Sequence, residues 1–390
     1  MRRSITYLLI AEVAAMSLWF VSAAILPDMV AEVPISAGRQ AALSSAVQFG
    51  FVIGALISAI TGIADRFDSR RVFALSALCA ALANLALLAL PVGGNAAIAM
   101  RFLTGVFLAG VYPVGMKIAV GWTQGARGYL VGALVGALTL GSALPHLIAL
   151  GGGAEWRVTV VIASVAALVS AGLGLKVGLG PYHAVAPAFR TRAIAAIWTN
   201  RPVRYAVGGY LGHMWELYAM WAWIGAASAV AYAGHMTEEA ALRLASLTAF
   251  LTIGLGAVAS VWAGRYADRV GKDRIAIWAM VFSASFAVLT AATFGWSVWL
   301  TFGLAILWGL AVIPDSAQFS ALVADHAPPE LAGSLMTLQT ALGFALTIVT
   351  VQATPMLADA LGWPVVLALM AVGPVFGIWS MLRFGRAVAR

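Results

Sequence analysis

Glu12-Val13-Ala14-Ala15-Met16-Ser17-Leu18-Trp19 recurs, in outline, as Glu216-Leu217-Tyr218-Ala219-Met220-Trp221-Ala222-Trp223, sharing E-x-x-A-M-x-x-W at an offset of 204. Asp65-Arg66 recurs as Asp268-Arg269 at 203, and Gly105 as Gly309 at 204. Three concordant offsets near half of a 390-residue chain read as an internal duplication.

What is duplicated follows from composition. Apolar residues make up 62% of the chain and charged residues only 10%, whereas a soluble domain carries roughly 25% charged residues. Fifteen acids and 23 bases cannot cover the surface of the two or three soluble domains this length would form. Most of the surface is therefore expected to face lipid. A helix needs about 20 apolar residues to cross a bilayer core. That ruler gives twelve spans, near 4–30, 40–62, 72–91, 95–121, 127–150, 157–177, 204–232, 239–263, 274–293, 296–322, 331–355 and 361–383. Turn chemistry separates them at Pro91-Val92-Gly93-Gly94-Asn95, Gly151-Gly152-Gly153 and Pro328-Pro329. Arg2-Arg3 ahead of an apolar run resembles a signal peptide, but the run is too long and contains Glu12, so it is read as span one.

The net charge of +8 does not imply nucleic acid, because the bases sit in short clusters between apolar runs rather than along one stripe. Nineteen of them fall on the side that holds both ends, three (Arg39, Arg157, Arg243) fall on the other, and Arg101 lies within a span. The positive-inside rule then makes both termini cytoplasmic in a multi-pass protein of the cell (inner) membrane. Residues 178–202, with Pro181, Pro187 and Pro202, read as a cytoplasmic linker between six-helix bundles at 1–177 and 203–390. One cysteine, Cys79, excludes a disulfide framework. No zinc spacing or phosphate-cradling glycine loop is present, so neither metal nor cofactor is expected. An enzyme would need a nucleophile–base or metal-ligand spacing that the chain does not offer.

Gly264-Arg265-Tyr266-Ala267-Asp268-Arg269-Val270-Gly271-Lys272 after span eight resembles the signature loop G-x-x-x-D-R-x-G-R/K of the major facilitator superfamily. The first copy, Thr61 to Arg71, keeps Asp65-Arg66 and the basic tail but has Thr61 and Asp68 where glycines are usual. Arg101-Phe102-Leu103-Thr104-Gly105 resembles a second motif, whereas the Gly-Pro of the antiporter motif is absent from span five. The resemblance covers nearly the whole chain. It implies an all-α membrane protein of two pseudo-symmetric six-helix bundles, a transporter working by alternating access. Its expected partners are a small-molecule substrate, protons and the lipid bilayer, with the chain acting as a monomer. It also implies that Asp65, Arg66, Asp268 and Arg269 form a cytoplasmic gate.

Ionisable groups inside spans are costly, about 2.5–3.5 kcal/mol each on insertion scales, and default to functional candidates. Helical spacing puts Glu12, Ala15, Met16 and Trp19 on one stripe, and Glu216, Ala219, Met220 and Trp223 on another. Pseudo-symmetry turns both stripes toward a central cavity, where the carboxyls load and release protons; the bland alternative is a glutamate satisfied by a neighbouring helix. Arg101, on one face with Gly105, Leu108 and Tyr112, would pair with an acid or an anionic substrate group, or else snorkel to the interface. Asp315, beside Pro314, Ser316 and Gln318, would sit at a break in span ten. His213, three residues before Glu216, would tune or relay its proton, and His146 follows Pro145 in span five; the bland alternative for both is a satisfied core histidine. Of Trp19, Trp215, Trp221, Trp223 and Trp308, the repeat singles out Trp19 and Trp223 for ligand stacking; Gln48, Thr337 and Thr340 add polar candidates. Gly128, Gly132 and Gly136 form a packing face. Arg101, Lys117 and the histidines tilt the substrate toward a small organic anion or metabolite, carried with protons. The acids and tryptophans would suit a hydrophobic cation, and an uncoupled facilitator or a non-transporting sensor are further alternatives.

Overall fold

The computed structural model describes residues 1–122, 127–152, 155–183, 192–329 and 331–389, with backbone alone at 64, 65, 127, 128, 152 and 268. Among the described residues, regular structure is entirely helical. Eleven helical segments are long and apolar enough to cross a membrane. The twelfth span, Arg201–Ala233, has 33 residues, ample for a crossing at 1.5 Å per residue. It falls short in apolarity because tryptophans, tyrosines, His213 and Glu216 occupy it, and most of these side chains are buried in protein rather than in lipid.

In chain order the spans are Arg2–Glu32, Ala37–Thr61, Ser69–Ala89, Asn95–Val120, Arg127–Gly152 and Trp156–Lys176 in the first half. The second half holds Arg201–Ala233, Glu238–Val270, Lys272–Ala292, Val298–His326, Ala332–Leu361 and Trp363–Val388. Most expected ends lie within about three residues of these, but spans eight, ten, eleven and twelve run about four to seven residues further at their C-terminal ends. Two shorter helices lie outside the spans among the described residues. Ile63–Arg66 follows span two, and Arg192–Thr199 lies inside the stretch expected to be a plain linker. That second helix buries Ala193, Ala196 and Ile197 and packs against spans seven and eleven, so part of the linker is docked structure.

Spans three, six, nine and twelve show how the sequence sets the outside. Leu75, Leu78 and Leu82 are exposed along span three, and Val158, Val161, Ile162, Val165 and Val169 along span six. Trp278 and Phe282 in span nine, and Val372, Val375, Phe376 and Trp379 in span twelve, do the same. These three- and four-residue spacings trace apolar stripes turned to lipid. The opposite stripes carry small residues, such as Ala163, Ala167, Ser170 and Gly174, which let backbones approach closely.

Two seams join the halves: span two packs on span eleven, and span five on span eight. The glycine face of span five makes the second seam. A Cβ at Gly136 would lie 3.1 Å from the Ala257 carbonyl oxygen, and one at Gly132 would lie 3.4 Å from that of Ser260. At the other seam, on the face opposite the termini, Ser45 donates to Gln352 at 2.8 Å.

The repeat persists in backbone detail. A Cβ on Gly105 would collide with the Val47 carbonyl oxygen, and one on Gly309 with that of Thr252. Spans four and ten are also broken at matching places, 109–111 and 313–315. Span one, however, breaks at 17–20, whereas its counterpart span seven runs unbroken.

Candidate functional site

The break in span one is held by a side chain from span four. Arg101, fully buried, donates to the backbone oxygens of Leu18 at 2.9 Å and Trp19 at 2.8 Å, and to Asn84 Oδ1 at 2.8 Å. The Asn84 amide in turn donates to Ser164 Oγ at 2.9 Å. The expectation of an acid or an anionic substrate as partner is thereby corrected, because the carbonyls freed by the non-helical turn take those donors. Trp19 also leaves the Glu12 stripe, since the helix that carries Glu12 ends at Met16. The break at 109–111 likewise separates Tyr112 from the Arg101 face.

Trp19 instead enters an aromatic cluster that bridges the two halves. Its ring centroid lies 4.9 Å from Phe51, 5.5 Å from Phe344 and 5.7 Å from Tyr218. Phe51 and Phe344 are 4.6 Å apart, and Tyr218 and Phe344 5.1 Å. Rings from spans one, two, seven and eleven therefore meet at the centre in the tilted arrangements that aromatic pairs favour. The Trp19 indole N–H is buried there without a partner.

The two repeated glutamates do not confront each other. Glu216 accepts from Trp308 Nε1 at 2.7 Å and from Ser283 Oγ at 2.8 Å, both within its own half. Glu12 turns into the first half, where a Cβ at Gly115 would lie 2.6 Å from its Oε2, and neither carboxyl oxygen has a hydrogen-bond partner. The shared vestibule of matched carboxylates is thus corrected to two separately enclosed acids. The repeat explains the difference. Trp308 corresponds to Thr104, whose hydroxyl is spent on the Met100 carbonyl, and at the offset of 203 Ser283 corresponds to Ala80.

The expectation that His213 serves Glu216 directly is also corrected. Its Nδ1 lies 2.8 Å from Asp315 Oδ1, and both side chains are almost wholly buried. Asp315 sits at the break in span ten and within electrostatic range of Glu216. Three ionisable side chains from spans seven and ten thus form one membrane-buried group. Tyr112 lies within electrostatic range of Glu12 and of Tyr210, whose hydroxyl hydrogen-bonds to Thr340. Trp223 donates to the Val351 carbonyl of span eleven at 3.0 Å, a packing contact rather than a free stacking face. Gln48 is buried, and its amide nitrogen is placed to donate to carbonyls of its own helix, at Ser44 and Ser45. His146 lies well away from this group, at a cleft near the face opposite the termini.

The signature loops are less alike than their sequences. Gly62 adopts a left-handed φ of 66° and ends span two, whereas span eight continues to Val270. Asp68 caps span three by accepting from the Arg70 backbone N–H at 2.8 Å, and it pairs with the Arg70 side chain at 2.6 Å. Its counterpart Gly271 has φ 106°, a conformation that favours glycine. Arg66 and Arg269 are exposed, and the side chains of Asp65 and Asp268 lie outside the described residues. Lys272 ties the start of span nine to Asp325 at the end of span ten, at 2.6 Å.

The profile of the Major Facilitator Superfamily matches residues 8–349. The chain belongs to that superfamily. No curated protein matches it. Among solved structures, that of a point mutant of the nucleoside transporter NupG superposes with a TM-score of 0.72, covering 98% of this chain and 99% of that one at 12% identity. At that identity the likeness carries the fold. The family and the fold together make the chain a multi-pass secondary transporter.

Proposed function

We propose that this transporter moves a small organic solute by alternating access and couples it to protons, with Glu216, Asp315 and His213 as the coupling group. The observation that carries this reading is the close placement of three ionisable side chains, buried in the membrane beside a break in span ten. A proton taken up or released there changes the charge next to that break, so protonation and helix geometry are linked. Glu12, enclosed and unpartnered, is a second site for a proton in the same scheme. The Trp19 cluster closes the central path between the halves, and the two seams rock around it.

In this reading the bundles comprise 1–177 and 203–390, both termini are cytoplasmic, and the protein resides in the cell (inner) membrane as a monomer. The loop residues Arg66 and Arg269, with Asp65 and Asp268, hold the cytoplasmic side closed. The tilt toward an organic anion is dropped, because both terminal nitrogens of Arg101 are engaged by backbone carbonyls and Asn84. A thermal-shift screen against a metabolite library at two pH values identifies the solute. Uptake of that solute into proteoliposomes under an imposed pH gradient then tests coupling. Accumulation that follows the gradient supports the reading; counterflow indifferent to pH favours an uncoupled facilitator.

A further inference from the structure

A cleft of about 170 Å³ opens between the ends of spans one, five, seven and eight, on the face opposite the termini. Its walls are mostly small and apolar, including Pro27, Ala149 and Ala226, and four ionisable side chains reach it: Asp28, His146, Glu239 and Arg243. Their charges do not balance. Arg243 is occupied by Glu239, one turn away on the same helix, at 3.1 Å. The other two bases of this face are also engaged. Arg157 holds Glu32 and Glu155, and Arg39 donates to the Gly93 carbonyl and to Asn95. Asp28, half-buried, forms no ion pair among the described residues, and Glu155 lies within electrostatic range to deepen the negative potential.

The second observation is independent of charge. His146 is 3% exposed, lines the same cleft, and has an Nε2 with no hydrogen-bond partner. Buried polar atoms in folded proteins are nearly always paired, so an orphaned one at a cleft wall marks a place for a ligand atom. With its proton on Nδ1, the imidazole offers Nε2 as an acceptor. A carboxylate and an acceptor nitrogen, in a cleft whose two carboxylates outnumber its single guanidinium, select a cationic ligand rich in N–H donors. An ammonium group has three donors and no acceptor. A carboxylate ligand would meet Asp28 as a like charge, and an alcohol could satisfy only one of the two groups.

We propose that this cleft binds a small organic ammonium ion, with Asp28 as counter-ion, His146 as second acceptor and the apolar walls enclosing the hydrocarbon body. The inference does not rest on proton coupling, and it is read by binding without transport.

The test titrates purified protein in detergent with benzylamine, benzyl alcohol and benzoate, followed by saturation-transfer NMR. Benzylamine is expected to saturate, at least about tenfold more tightly than either isostere, a difference of about 1.4 kcal/mol. Asp28→Asn should weaken it by a similar factor, Asp28→Glu should recover part of the loss, and His146→Gln should weaken it by a smaller factor. The proposal is overturned if the three compounds bind alike, or if Asp28→Asn and His146→Gln bind benzylamine as the unaltered protein does. Thermal unfolding of each variant shows that the fold is intact; should Asp28→Asn not fold, His146→Gln and the isostere ranking decide the matter.

Discussion

The two halves share a scaffold and differ in where they keep their polar chemistry. In the first half Arg101 and Asn84 brace a broken span one, and the equivalent positions in the second half are Ala305 and Ala287, behind an unbroken span seven. In the second half Trp308, Ser283, His213 and Asp315 surround Glu216. The first half has Thr104, Ala80, Leu9 and Val111 at the matching positions, and its Glu12 is left unpartnered. Positions where backbone meets backbone have stayed alike, as at Gly105 and Gly309. The polar residues packed around the repeated glutamates have diverged. Duplication thus preserved the packing that both halves need and let each acquire its own polar device.

The sharpest way to break this comparison is at Arg101. Arg101→Leu removes donors from two carbonyls and from Asn84, at about 1–3 kcal/mol for each buried group left unpaired. It should cause the largest loss of thermal stability of any substitution considered, whereas Ala305→Leu at the equivalent position should act only through packing. Next come the glycines. Gly105→Ala and Gly309→Ala each push a Cβ onto a backbone oxygen that cannot move aside, and each should cost about 1–3 kcal/mol. A large inequality between the two would weaken the symmetry argument. The glutamates should behave oppositely. Glu216→Leu orphans the Trp308 and Ser283 donors and should lower the melting temperature, while Glu12→Leu removes a group with no partner and should hold or raise it.

The smallest effect is expected in the loops, at Asp68. Gly271→Asp demands a left-handed backbone from a residue that resists it, at about 1–3 kcal/mol, whereas Asp68→Ala loses a helix cap worth about 1 kcal/mol. The Arg70 side chain and backbone hold the Asp68 carboxyl down at about 2, below its ordinary 3.8. A depressed acid stabilises the fold above its unfolded value and loses that contribution as it is protonated. The stability gap between the parent and Asp68→Ala should therefore be full near neutral pH and close as pH falls from about 4 to about 2. A gap independent of pH would remove Asp68 from this role.

Much of the architecture is legible in the chain, because lipid imposes one rule on every span and the repeat fixes their number. Hydropathy under-reads span seven alone, since its tryptophans, tyrosines and glutamate face protein. The site is less legible. The stripe through Glu12 and Trp19 presumes a continuous helix, and nothing in Ser17-Leu18-Trp19-Phe20 announces a break; no proline or glycine stands there. Asn84 and Ser283 escape notice as single uncharged polar residues inside apolar runs, although each completes a buried network. Helical spacing gives the face a side chain occupies but not which neighbour covers that face, so it points Glu216 toward a cavity when spans nine and ten cover it. One usable signal is present: Arg101 has Ala305 as its repeat partner, which marks a residue serving one half only.

The central claim is that coupling resides in the second half. In proteoliposomes containing the solute found by screening, accumulation driven by an imposed pH gradient should be lost in Asp315→Asn and Glu216→Gln while exchange of the solute continues. Glu12→Gln should retain most of the driven accumulation. Gradient-driven accumulation that survives in both second-half variants and vanishes in Glu12→Gln would contradict the account.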